Sequence, residues 1–230
     1  MTVRPHAESS IRRSEGSASA DVLDALQLLQ RVAYLQSDLY SRALAVTGFV
    51  SASDITVFTT LSTQENAHVT TFTALILARS PTPIARPVFD FTAKGALPGF
   101  AFATGQYATF QLLAQAFEDL SVRAHKGQLQ ALLADKPALN AALAIHSVEG
   151  RHASEVRRLR GKKAWVTGNS RDDLPAFLQP IYDGEDNVTQ GTVNVTAAAA
   201  GFGGVDSASE AFDEPLTAGQ VTAILANFLP

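Results

Sequence analysis

Apolar side chains recur three and four positions apart along four stretches of this chain, and each recurrence predicts an amphipathic helix. From about Ala20 to Thr47 the stripe is Leu23, Leu26, Leu29, Ala33, Gln36 and Tyr40, with Gly48 as the stop. A second stripe holds Val57, Leu61, Glu65, His68, Phe72 and Leu75. It runs from an N-cap at Ser51 or Ser53 to Arg79, where Ser80-Pro81-Thr82-Pro83 ends it. A third, from about Thr104 to His125, carries Tyr107, Phe110, Leu113, Phe117 and Leu120 and is expected to break at Lys126-Gly127. A short helical turn over Gln128 to Ala134 then precedes Asp135 as cap and Pro137 in the first turn of a fourth helix. That helix closes on Arg157, Arg158, Arg160, Lys162 and Lys163, which read as a solvated end where cations favour the helix dipole.

Between the second and third helices, residues 80–103 carry prolines and phenylalanines without helical period. They predict a long ordered crossover whose aromatics pack on the bundle and which joins helices that are not hairpin neighbours. After Gly161 the composition turns to Gly, Thr, Asn, Asp and Val. Val188, Val193 and Val195 suggest a small hairpin, and the run from Pro215 to Leu225 a short amphipathic helix that docks on the bundle. The expectation is an all-α protein: a flexible segment over 1–19, a helical bundle over 20–163, and a C-terminal extension over 164–230, packed on the bundle, of irregular and β-hairpin structure plus a short helix.

With 230 residues and 46% hydrophobic content, the chain is long enough for one sizeable core. A net charge of -4 provides no electrostatic footprint for a phosphate backbone, so nucleic acid is not an expected partner. The absence of cysteine excludes disulfides and thiolate sites, leaving carboxylate and imidazole to hold any metal. No stretch is apolar for long enough to span a bilayer. Arg12-Arg13 is followed by Ser14-Glu15-Gly16-Ser17 rather than an apolar run, so an export signal is not expected and a cytoplasmic location is. The crossover and the valine-rich tail offer more apolar surface than four helices need, an argument for self-association.

Chemistry concentrates in two copies of Glu-x-x-His, Glu65-Asn-Ala-His68 and Glu149-Gly-Arg-His152, each mid-helix. Three residues apart on a helix is one face, so each pair can chelate one ion or bridge two. Glu118 lies in the middle of the third helix, and three carboxylates buried without partners would be costly, which metal coordination offsets. A single such motif is more often a surface pair; two copies with a lone glutamate between them match a di-metal carboxylate bundle. His146 extends the fourth-helix motif by one turn, about 60 degrees from Glu149, and His125 stands about 10 Å along the axis from Glu118.

The chain resembles the ferritin-like superfamily, in the branch that includes desiccation-related proteins. The matching stretches are Tyr34-Leu-Gln-Ser-Asp-Leu-Tyr40, Gln64-Glu-Asn-Ala-His68, Pro87-Val-Phe-Asp-Phe91, Ala116-Phe-Glu-Asp-Leu-Ser-Val-Arg-Ala124, Val148-Glu-Gly-Arg-His-Ala153 and Ala211-Phe-Asp-Glu-Pro-Leu216. They cover about residues 20 to 230, in the family's order. The resemblance implies a ferritin-like four-helix bundle with a long crossover, binding iron, manganese or a similar ion at Glu65, His68, Glu118, Glu149 and His152. It also implies departures: Ala33 stands where the family's first helix supplies a terminal glutamate, Gln36 at a second acidic position, and His125 where a tyrosine is usual. Gln30 and Ser37 lie near the face of Ala33, but their neutral oxygens are poor substitutes for a carboxylate at iron.

Three carboxylates leave two divalent ions short of one unit of charge, so occupancy is expected to be two ions, one or none. Two functions stand side by side. One is a stress-protective protein with a degenerate carboxylate and histidine site, to which no catalytic residue is assigned. The other is a structural or interaction protein that kept the bundle and lost its metal centre.

Overall fold

The computed structural model describes residues 6–79, 82 and 84–230, with side chains from residue 21 onward. The expectations for residues 1–5, for the Arg12-Arg13 side chains and for the prolines at 81 and 83 lie outside that range. Four long helices form the bundle: α1 (His6–Ala45), α2 (Ile55–Leu77), α3 (Tyr107–Leu132) and α4 (Lys136–Leu159). α1 packs on α2 and α3, α3 packs on α4, and α2 meets α4 over a shorter stretch, so α2 and α3 lie on a diagonal. The short connections 46–54 and 133–135 make two hairpins, and the long segment 78–106 crosses the diagonal. No helix among the described residues is long and apolar enough to cross a membrane.

The helix limits differ from the periodicity in four instructive places. Helical backbone starts at His6 rather than near Ala20. The N-cap of α2 is Asp54, without a side-chain cap bond, rather than Ser51 or Ser53; Ser51 instead supplies the backbone carbonyl that accepts from Ile55 N (3.0 Å). α3 does not break at Lys126-Gly127 but continues to Leu132. The reason is tertiary: a Cβ on Gly127 would come within 1.8 Å of the Leu216 carbonyl oxygen, so this glycine lets the C-terminal segment lie directly on α3. The basic end of α4 is not simply solvated either, because Arg157 is buried in a fork with Asp119 (2.9 and 2.7 Å) and Arg160 reaches Asp173 (2.7 Å). Asp135 does cap α4, accepting from Ala138 N at 3.0 Å.

The crossover phenylalanines are core residues. Phe89, Phe91, Phe100 and Phe102 are buried, with Phe91 against Phe117 and Phe102 edge-on to Phe49. Beyond α4 the chain forms a hairpin, β1 (Thr189–Gln190) antiparallel to β2 (Val193–Asn194), then α5 (Thr196–Ala199), α6 (Val205–Ser209) and α7 (Ala218–Leu225). Leu216, Val221, Leu225 and Phe228 are buried, while Phe212 just before them is exposed. Arg123 fastens this segment from α3: its guanidinium donates to the carbonyls of Ile181, Asp183 and Glu214 and lies 2.6 Å from Glu185. The carbonyl of buried Ile181 would otherwise be an acceptor without a donor in the interior.

Candidate metal centre

All four long helices send polar side chains to one point of the core. α1 contributes Gln36 and Tyr40, α2 Glu65 and His68, α3 Glu118, and α4 Glu149 and His152; each is less than one-tenth exposed. The three-residue spacing within α2 and α4 is what turns each glutamate and its histidine to the same side. Ligand atoms of Glu65, Glu118, Glu149 and His152 all lie within 4.8 Å of one another. His68 sits at their edge, Nδ1 2.9 Å from Glu149 Oε1 and 3.3 Å from Glu65 Oε2. Its ring stacks on that of His152, centroids 5.9 Å apart.

Two of the close approaches are ion-pair contacts whose angles fall outside hydrogen-bond geometry. His152 Nδ1 lies 2.9 Å from Glu65 Oε1, yet both atoms are buried without a hydrogen-bond partner, and Glu149 Oε1 is likewise unsatisfied beside His68. Buried polar atoms are normally paired. These atoms belong to the set of carboxylate and imidazole donors that lie close enough together to surround one ion. Across the ring, His152 Nε2 donates to Gln64 Oε1 at 2.6 Å, a hydrogen bond that holds the ring's orientation.

The electrostatics follow from burial opposed by neighbours. Burial alone lowers the histidines, but the facing carboxylates outweigh it and push His68 up to about 10 and His152 up to about 11. Burial raises Glu118 to about 8 against the pull of His152. Burial also works to raise Glu149, but His68 and the other nearby imidazoles hold it well below the usual carboxylate range. The Tyr40 hydroxyl, driven far up by burial and then by Glu118, remains a proton donor and gives its hydrogen bond to Glu118 Oε1. Without an ion, therefore, both imidazoles and the Glu118 carboxyl hold their protons at neutral pH.

The bundle and its central cluster agree with a comparison of the sequence with known families: a family model described as a ferritin-like domain matches residues 21–162. The chain belongs to the ferritin-like domain family. A search among curated proteins finds no match. The ferritin-like bundle thus carries a buried cluster of glutamate and histidine compatible with a metal site, made of Glu65, Glu118, Glu149 and His152, with His68 beside it.

The fold also places the residues that spacing left undecided. Ala33 is buried on α1, and its two polar neighbours are engaged elsewhere: Gln30 donates to Thr73 (2.7 Å), and Ser37 donates to Asn66 (2.9 Å). Gln36 takes a different part, donating from Nε2 to Glu118 Oε2 (2.9 Å) and Glu149 Oε2 (3.0 Å). His146 packs on His125, ring centroids 6.5 Å apart, and both lie outside the set of mutually close donors. His125 donates from Nδ1 to the Ser121 carbonyl (2.9 Å), and burial lowers it to about 4. Sequence reasoning missed the parts played by Gln64 and Tyr40; the only signal for either was its place beside a motif or on the α1 stripe.

Proposed function

We propose that this ferritin-like protein binds one iron or manganese ion per chain through Glu65, Glu118, Glu149 and His152, with His68 at the margin, and acts in stress protection as the resemblance to desiccation-related proteins implies. The observation that carries the reading is the set of unsatisfied buried atoms, Glu65 Oε1, Glu149 Oε1 and His152 Nδ1, within a mixed oxygen and nitrogen donor set suited to those ions. One ion rather than two is favoured because the Gln36 amide stands between Glu118 and Glu149 and brings hydrogens where a second ion would need negative oxygen. Iron or manganese held there supplies one-electron redox chemistry; the chain's own part is to exclude water and fix the donors. Self-association is proposed as well, on the exposed Val193, Phe202 and Val205 of the extension, and light scattering in solution tests it.

One observation favours a second reading, a metal-free core in a structural protein: Gln36 satisfies two carboxylates while His68 and His152 offset the charge. Elemental analysis of protein purified without chelator separates the two. About one transition-metal ion per chain, lost in Glu65→Gln and Glu149→Gln, supports the metal reading. Protein that stays metal-free after incubation with ferrous and manganous salts, and melts unchanged in their presence, leaves the structural reading.

A further inference from the structure

The buried cluster borders a groove. Between α2 and α4 a groove of about 610 Å³ opens, and its lining includes both His68 and His152. An ion or a water molecule needs only a narrow passage; this volume lies within the roughly 300–1,000 Å³ typical of small-molecule sites. The walls are apolar, from Val57, Leu61 and Ala67 on α2 and Val148 on α4.

Its polar groups are not evenly mixed. Gln64 commits its carbonyl oxygen to His152 Nε2, so its amide Nε2, with two hydrogens to donate, has no acceptor among the described residues. Arg151, exposed on α4 at the groove, has no anionic partner among the described residues. The one acid in the lining, Glu155, is engaged by Arg158 at 2.6 Å. The groove therefore offers apolar walls and donors still to be satisfied, which is complementary to an apolar molecule with an anionic oxygen group.

We propose that the α2–α4 groove is a binding site for a medium-chain aliphatic carboxylate, its chain along Val57, Leu61, Ala67 and Val148 and its carboxylate at Arg151 and Gln64. This deepens the metal-site reading and rests on it for the link between the bound molecule and the cluster; binding itself does not require the ion.

The test is calorimetric titration of the full chain with decanoate below its micelle concentration, with decan-1-ol and decylammonium as tail-matched controls. Metal per chain is measured on the same preparations. Saturable binding of decanoate is expected, with the alcohol and the cation weaker. Arg151→Gln, at an exposed position, should weaken decanoate by about tenfold, the size of one charge-assisted hydrogen bond. Ala67→Trp, which fills the groove from an exposed position on α2, should abolish binding while the melting temperature holds. Absence of saturable binding to folded protein, equal binding of the three probes, or indifference to both substitutions overturns the proposal. Decanoate binding that depends on Arg151 in protein that takes up no metal sustains the groove and sinks the metal reading; metal without decanoate binding does the reverse.

Discussion

Nδ1 of His152 stands 2.9 Å from Oε1 of Glu65, and neither atom has a hydrogen-bond partner. In a core where an unpaired buried polar atom costs about 1–3 kcal/mol, two such atoms facing one another need a reason. On the metal reading proposed above, a shared ion would satisfy both; without one they face each other as an ion pair. The orientation depends on the other side of the ring, where Gln64 accepts from Nε2.

Gln64→Leu removes that acceptor and leaves the glutamate and histidine donors in place. Metal affinity, read by competition with a chromogenic chelator, should fall about 10- to 100-fold, the usual loss when an outer hydrogen bond to a ligating histidine is removed. The fold should survive, because Gln64 is exposed on α2. Unchanged affinity would mean that His152 is not a ligand through Nδ1.

Gln36→Glu places a fourth carboxylate where an amide now donates to Glu118 and Glu149. The metal-free protein should lose several kcal/mol, roughly the penalty of a buried charge among like charges, seen as a lower melting temperature. Divalent iron or manganese should restore it and raise occupancy toward two ions per chain, because a ligand that binds only the folded state stabilises it. Ala33→Glu, where the resemblance implies a further carboxylate, should act in the same direction. Variants that melt lower with or without metal would show that charge at these two positions does not control the site.

The metal-free protein should be most stable in mildly acidic solution. Between their ordinary value of 6.5 and about 10 and 11, His68 and His152 keep protons in the folded state that the unfolded chain has released, so stability falls as pH rises through that window. Glu118, raised from 4.5 to about 8, adds a loss of the same sign over its own lower range. Glu149 is lowered, so its contribution is present above 4.5 and lost on acidification. Melting temperature against pH, with and without metal, checks this. Since the ion displaces the imidazole protons, metal should stabilise more at pH 8 than at pH 6.

Gly127→Ala improves local helix propensity and should still destabilise. The new methyl group would meet the Leu216 carbonyl at 1.8 Å, forcing the C-terminal segment off α3 and straining the bond from Leu216 N to Arg123 O. A loss of about 1–3 kcal/mol is expected, as for overpacking, together with faster proteolysis near residues 211–217. A variant more stable than the parent would show that the segment relaxes freely away from the helix.

The chain's own periodicity determined the four helices and the faces of Glu65, His68, Glu149 and His152, because a three-residue spacing on a helix fixes direction whatever surrounds it. The long crossover and the apolar run of the tail were legible for a similar reason: each is a local property of composition. Only the tertiary structure decided what depends on contacts between distant segments. Gly127 reads as a helix breaker until Leu216 is seen against it, and Arg157 as a solvated cation until Asp119, 38 positions away, is seen to take it. Gln36 reads as a lost ligand, and becomes the donor that holds Glu118 and Glu149 together, because an amide side chain has no fixed partner until folding brings two carboxylates within 3.0 Å of it.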